Sequence, residues 1–145
     1  MKKVLLVVGL LIGTSVLTGC GTETLTCTMS DSTSMYEMEQ EVTATFSGKK
    51  TETVEATITM KVDEAYKDNM DALKESVEKE MTDYEKDYDV ETNVSVEGTT
   101  LKYSMKADSN KMNDDAKALF GFDTESDQSK ETAQKQLEDA GYTCK

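Results

Sequence analysis

The sequence predicts an α+β domain of two layers, in which two β-hairpins form a four-stranded antiparallel sheet and helices cover one face. Three observations lead to this prediction. Apolar and polar residues alternate over 36–62 and again over 90–107, which is the period of half-buried strands. Between them, apolar residues recur every three or four positions, which is typical of an amphipathic helix. Two shorter helical segments follow, so the expected order of elements is ββαββαα.

The first hairpin has its turn at 47–50, where Gly48 lies between two alternating runs. The polar Gln40 is the exception in its inward-facing rows, which are Tyr36, Met38, Gln40, Val42, Ala44 and Phe46, then Val54, Ala56, Ile58, Met60 and Val62.

The long helix is expected to begin after Asp63 and to bury one stripe of side chains. The stripe consists of Tyr66, Met70, Leu73, Val77, Met81, Tyr84 and Tyr88. The second hairpin then runs from Val90 to Ala107 and turns at Gly98. The last two helices are expected at 111–120 and 133–140, each followed by a glycine.

Residues 1–19 have the organisation of a signal peptide. Lys2 and Lys3 precede an apolar run that is too short for a comfortable membrane span. The run ends in Leu17-Thr18-Gly19-Cys20, which resembles a lipobox. The resemblance implies that Cys20 receives a diacylglyceryl group, becomes the mature N-terminus and can then be acylated on its amine. The chain would therefore be anchored to the extracytoplasmic face of the cell membrane by lipid. Residues 20–26 are expected to be the lipidated cysteine and a short tether, and 27–145 a single domain.

Two further cysteines, Cys27 and Cys144, remain for the domain. A disulfide between them is the favoured interpretation, because an extracytoplasmic compartment permits it. Two buried free thiols are an alternative. A metal site is disfavoured because the chain has no His to complete one.

The composition excludes several classes of activity. Without His there is no Ser-His-Asp triad or Cys-His pair, and without Arg there is no bidentate fork for phosphate or carboxylate. A net charge of −13 repels nucleic acid. We expect no catalytic residues, no metal and no cofactor.

Two clusters of acids are weak candidates for calcium. The run Asp83, Glu85, Asp87, Asp89 and Glu91 has no glycine-bearing loop, so a solvated turn is the preferred interpretation. The segment 123–127 resembles the start of a calcium loop, but Gln128 and Gln134 stand where Gly and Glu are required.

The lipobox, the Thr/Glu-rich first hairpin, the Lys/Glu-rich helix and the ending Leu137-Glu138-Asp139-Ala140-Gly141-Tyr142 together resemble the YehR-like family of small bacterial lipoproteins. The resemblance implies an α+β lipoprotein and no catalytic activity.

The polar face of the sheet is the remaining surface feature of the predicted domain, and a face that is simply solvated is its preferred interpretation. Its outward rows are Glu37, Glu39, Glu41, Thr43 and Thr45; Thr53, Glu55, Thr57, Thr59 and Lys61; and Glu91, Asn93, Ser95, Lys102, Ser104 and Lys106. If such a face has a role, it suits a cationic or polar partner. The favoured function is a non-enzymatic binding or envelope-interaction module. A small solute-binding lipoprotein is the alternative, and a carboxylate-dependent envelope hydrolase is a less favoured one.

Overall fold

A computed structural model gives the structure of residues 21–120, 122 and 128–145. The strands are β1 (Thr22–Ser32), β2 (Tyr36–Ser47), β3 (Lys50–Val62), β4 (Glu91–Glu97), β5 (Thr100–Asp108) and β6 (Thr143–Cys144). The α-helices are α1 (Met70–Tyr88), α2 (Asp114–Phe120) and α3 (Lys130–Asp139), and a 3-10 helix (Glu64–Asn69) precedes α1.

The sheet has six strands in the order β4-β5-β3-β2-β1-β6, and all neighbours are antiparallel. The prediction of a four-stranded sheet with the order ββαββαα is therefore wrong. It missed β1, which pairs with β2 along its whole length, and the two-residue β6 at the edge. Strand β1 buries Leu25 and Cys27 on one face and turns threonines to the other, so its signal is the same alternation that identified β2. The segment predicted as a tether contains the first five residues of this strand.

The β2–β3 and β4–β5 hairpins have two-residue turns, because each turn contains a glycine at a positive φ. Gly48 (φ 58°) follows β2, and Gly98 (φ 61°) follows β4. Most residues avoid this conformation because their Cβ atom collides with the backbone, whereas glycine adopts it without cost. The β4–β5 turn sets the register that places Val94 opposite Tyr103, whereas in the β2–β3 pair a one-residue shift between Thr45 and Phe46 places Val42 opposite Ala56.

The core lies between one face of the sheet and the helices. Helix α1 packs over β3, β4 and β5 around the buried Ile58, Met81 and Leu101. Helix α3 covers β1 and β2, where Leu25 and Phe46 are almost wholly buried. Helix α2 closes the corner near Val90 and Ala107. The helices therefore cover the apolar rows and leave the Thr/Glu rows uncovered.

The long helix begins later than predicted, because residues 64–69 form a 3-10 helix first. Asp63 caps this segment by accepting a hydrogen bond from the Ala65 amide at 2.9 Å. A 3-10 helix has three residues per turn, so its side chains do not continue the stripe of α1. Tyr66 was expected in the buried stripe, yet 41% of its surface is exposed. Helix α1 ends at Asp89, which has φ 53°.

Several predicted features lie outside the described residues. These are the signal peptide 1–19, the lipobox residues Leu17, Thr18 and Gly19 with Cys20, and the acidic segment 123–127. Among the residues that the structure describes, no helix combines the length and apolar character needed to cross a membrane.

Candidate binding site at the distal end of the sheet

The two ends of the sheet differ in their relation to the N-terminus. The proximal end holds Thr22, where β1 begins, and the β2–β3 turn beside it. The distal end holds the β1–β2 turn at 33–35 and the 3-10 helix. Strand β1 has 11 residues, and a rise of about 3.4 Å per residue separates its two ends by about 34 Å.

An apolar groove of about 260 Å³ lies at the distal end, on the helix-covered side of the sheet. Met35 and Tyr66 are its exposed members, at 51% and 41%. Polar atoms contribute little to its lining, in which Asn69 is the polar residue among Met35, Tyr36, Val62, Tyr66, Asn69, Met70 and Leu73. Met35 and Tyr66 are the large apolar side chains that stay exposed among the described residues, and both border this groove.

The backbone that carries this groove is held by hydrogen bonds. The Met35 amide donates to Oγ1 of Thr33 at 3.1 Å, and the Met35 carbonyl accepts from the Asp63 amide at 2.9 Å. The Thr33 amide in turn donates to the Tyr36 carbonyl at 2.8 Å. The Tyr66 amide donates to the Asp63 carbonyl at 2.9 Å. Both exposed side chains therefore project from backbone that is already ordered, which lowers the entropy cost of binding.

A second, polar groove of about 620 Å³ lies at the same end, chiefly on the open face of the sheet. It crosses β1, β2 and β3, and its lining residues are Ser30, Asp31, Ser32, Glu37, Met38, Glu39, Thr59 and Lys61. Hydroxyls, carboxylates and one ammonium group can bind a polar or cationic ligand by hydrogen bonds and charge. The sheet separates the polar groove from the apolar groove, and both lie beside the ends of β2 and β3.

The open face carries the outward rows that the sequence predicts, in matching register. Glu37 lies opposite Lys61, and Glu55 lies between Thr43 and Lys106. Strand β1 adds a row of threonines to this face. The hydroxyl of Thr26 lies 3.4 Å from the hydroxyl of Thr43. Across β2 and β3, the hydroxyls of Thr45 and Thr53 are 2.6 Å apart.

Thr57 is the buried residue of this face. It is fully buried between its cross-strand neighbours Glu41 and Ser104. Its hydroxyl has no hydrogen-bond partner among the described residues. A buried hydroxyl without a partner costs free energy, because the hydrogen bonds it made to water are lost.

The cysteine prediction is confirmed, because Cys27 and Cys144 form a disulfide. They face each other in the β1–β6 pair, and the Lys145 amide donates to the Thr26 carbonyl at 2.9 Å beside them. Cys27 is fully buried under α3. The cross-link closes a separation of 117 residues and ties the C-terminus to the first strand.

The C-terminal segment 137–142, on which the family resemblance partly rests, has a structural role beside β1 and β6. Leu137 and Tyr142 pack against the core of β1 and β2, and Gly141 between them has φ 100°. The Tyr142 hydroxyl donates to Oε1 of the buried Gln40 at 3.0 Å, which gives the one polar residue of the inward rows a partner. Burial raises the pKa of the Tyr142 hydroxyl. Burial and then the Glu80 carboxylate raise the pKa of Tyr103.

The acidic run is used in local contacts between α1, β4 and the start of α2. Glu85 accepts hydrogen bonds from the amide and the hydroxyl of Thr92 at 3.1 and 2.6 Å. Glu91 pairs with Lys111 at 2.9 Å, and that hydrogen bond and charge lower the pKa of the exposed Glu91. Asp89 accepts from Asn113 at 3.2 Å. Within residues 21–120, 122 and 128–145, no group of three or more acids or cysteines is arranged to hold a metal ion.

Sequence reasoning missed the apolar groove. Met35 lies in a turn, and Tyr66 was assigned to a buried stripe, so neither was expected to be exposed on the same surface. The available signal was the cluster of Met35, Tyr36 and Met38 beside a run of serines and threonines, since exposed methionines suit adaptable binding surfaces.

No family model matches the chain, and no curated protein matches it. Among solved structures, the chain is similar to one described as the NMR structure of the protein from Streptococcus pneumoniae TIGR4. The two share 16% identity, the alignment covers 100% of this chain and 97% of that chain, and the TM-score is 0.48.

Proposed function

We propose that this protein is a lipid-anchored extracytoplasmic bacterial lipoprotein that acts as a non-enzymatic binding module, with the distal end of its sheet as the binding surface. The observation that carries the proposal is the course of β1. The strand begins at Thr22, two residues after the predicted lipidation site, and ends about 34 Å away beside both grooves. An anchor at Cys20 would hold the proximal end at the membrane and present the distal end to partners.

Charge supports a cationic or polar partner for the polar groove and the open face. Removal of residues 1–19 leaves 14 Lys against 29 acids, so the mature chain attracts cations and is repelled by anionic lipid. Charged surfaces of this kind increase association rates more than affinity, and added salt screens them. Binding should therefore be weak and sensitive to salt.

Membership of the YehR-like lipoproteins is part of this proposal, and the sequence resemblance supports it. The ending Leu137-Glu138-Asp139-Ala140-Gly141-Tyr142 on which the resemblance partly rests packs helix α3 onto the sheet. The family supplies no activity beyond that of a small lipoprotein.

A small solute-binding lipoprotein is the second candidate, and the lining of the polar groove favours it. Its hydroxyls, carboxylates and one ammonium group can bind a polar solute by hydrogen bonds and charge. A solute should bind the isolated domain with a defined stoichiometry, whereas a macromolecular partner should need the larger charged face.

The anchor is tested by Cys20→Ala in the full chain expressed in its host. Detergent-phase partitioning and membrane fractionation should show that the wild type is membrane-bound and that the variant is unprocessed or released. A variant that is processed and membrane-bound like the wild type would contradict the lipoprotein proposal.

The binding surface is tested by reversing charges in the polar groove. Glu37→Lys with Glu39→Lys should abolish cross-linking to the cognate partner in intact cells without changing the thermal transition. The matched control is Glu75→Lys with Asp83→Lys, which makes the same charge change on the exposed side of α1. Equal loss in both variants would mean that net charge, and not this groove, governs binding.

A further inference from the structure

We infer that the apolar groove at the distal end binds apolar side chains of a cationic segment, so that the partner is an amphipathic, positively charged peptide or protein segment. This inference rests on the proposed function and adds the chemistry of the partner. It concerns a surface that the open polar face does not include.

The groove is a built site rather than a chance gap between side chains. Its two exposed walls, Met35 and Tyr66, come from segments that the Asp63 backbone links through hydrogen bonds of 2.9 Å on both sides. Its floor consists of core residues, among which Met70 is 4% exposed. An apolar side chain entering the groove would therefore meet ordered walls and a closed floor.

The segment that lines the groove is acidic. Next to the lining residues it carries the exposed Asp63, Glu64, Asp68 and Asp71 against the exposed Lys61 and Lys67. An apolar groove on an acidic segment is complementary to a segment that alternates apolar and cationic side chains.

The location argues against an occupant from the chain's own N-terminus. Residue 21 precedes β1 at the proximal end, about 34 Å from the groove. Under the proposed function the apolar residues 4–12 are removed, and the lipid on Cys20 lies in the membrane. The groove is thus available to a separate molecule.

The part of the chain from residue 21 onward is sufficient for the test. It contains all six described strands, the three α-helices, the core clusters and the disulfide, so we expect it to fold without residues 1–20. A cooperative thermal transition and an intact mass that shows the disulfide would verify each variant.

The experiment measures binding of synthetic peptides to this domain by NMR of methionine methyl groups and by calorimetry. The probe is a 12-residue peptide of alternating Leu and Lys, and the control is a peptide of 12 residues in which Ala replaces each Leu. The Leu-containing peptide should shift the Met35 and Met70 methyl signals and should bind at least tenfold more tightly than the Ala control.

The decisive variant is Met35→Asp with Tyr66→Asp. It adds two negative charges and removes the apolar walls, so apolar anchoring and simple charge attraction predict opposite results. We expect affinity for the Leu/Lys peptide to fall by roughly tenfold or more, because each exposed apolar contact that binding buries is lost. The matched control, Thr22→Asp with Thr24→Asp, adds the same charge at the proximal end and should bind as the wild type does.

Two results would overturn the inference. One is equal or tighter binding by the Met35→Asp, Tyr66→Asp variant, which would mean that charge alone attracts the peptide. The other is an equal shift of the methionine signals by octyl glucoside below its micellar concentration, which would make the groove a site for neutral apolar ligands. Either result leaves the anchor at Cys20 untouched, since that proposal depends on fractionation of the full chain.

Discussion

Two regions of this domain differ in how completely their apolar side chains are buried. At the clamped edge, which consists of β1, β6, α3 and the adjoining part of β2, the apolar rows are almost wholly covered, so that Leu25 and Phe46 are 1% and 0% exposed. At the distal end, Met35 and Tyr66 remain 51% and 41% exposed. A helix and a disulfide close the clamped edge, whereas Met35 and Tyr66 lie in a turn and a 3-10 helix at the distal end. Stability should therefore come mainly from the first region and binding from the second.

The largest effect expected from this comparison is loss of the disulfide. Cys27→Ala with Cys144→Ala should lower the free energy of unfolding by about 4–5 kcal/mol, because the unfolded chain regains the freedom of a 117-residue loop. Urea unfolding of the variant and the wild type measures the difference. The groove should still bind the Leu/Lys peptide under native conditions. A loss of peptide binding in a variant that remains folded would mean that the two regions are not independent.

A matched pair of truncations compares the two regions directly. Phe46→Ala should cost about 3–4 kcal/mol, since it removes a fully buried ring and leaves a cavity under α3. Met35→Ala should change stability by less than about 0.5 kcal/mol, because half of its side chain is already in water. Thermal and urea unfolding of both variants provides the test. Comparable losses would show that the distal end is part of the structural core.

Two tyrosines, Tyr142 and Tyr103, should make the free energy of unfolding sensitive to alkaline pH. The pKa values of Tyr142 and Tyr103 are raised in the folded state, so their contribution is fully present below pH 10 and is lost as pH rises through the folded values. Tyr142→Phe should cost about 1–2 kcal/mol at pH 7, because it removes the bond to Gln40. It should also reduce the loss of stability above pH 10. An unchanged alkaline profile in the variant would assign the effect to Tyr103 alone.

One substitution on β3 is expected to stabilise the domain. Thr57→Val should raise the free energy of unfolding by about 1 kcal/mol, since it replaces a fully buried hydroxyl without a partner by a methyl group of similar size. Thr59→Val, on the same strand and partly exposed, is the control and should change stability little. Destabilisation by Thr57→Val would indicate that its hydroxyl is hydrogen-bonded in solution.

The sequence predicted the elements whose periodicity extends over many residues. The alternation of Tyr36 to Val62 and the stripe from Met70 to Tyr84 identify β2, β3 and α1 because each spans many periods. Strand β1 also alternates, but it follows the lipobox directly, so its first five residues were expected to form a tether and the strand was missed. Strand β6 has two residues, which is too few to show any period.

The two parts of the candidate site, the open face and the apolar groove, also differ in whether the sequence predicts them. The open face could be predicted, because strand alternation decides which side chains share a face. The apolar groove was not predicted, because it joins Met35 in the β1–β2 turn to Tyr66 in the 3-10 helix. The hydrogen bond from the Asp63 amide to the Met35 carbonyl lies next to the Tyr36–Val62 pair of β2 and β3 and holds these two segments together.

The most direct test of the whole account is photo-cross-linking in intact cells from the two ends of the sheet. A photoreactive amino acid replaces Met35 at the distal end in one variant and Thr24 at the proximal end in the other, with Cys20 unchanged in both. The account predicts a discrete cross-linked partner from position 35 and cross-links to lipid or none from position 24. A partner captured equally from both positions, or captured from position 24 alone, would contradict it.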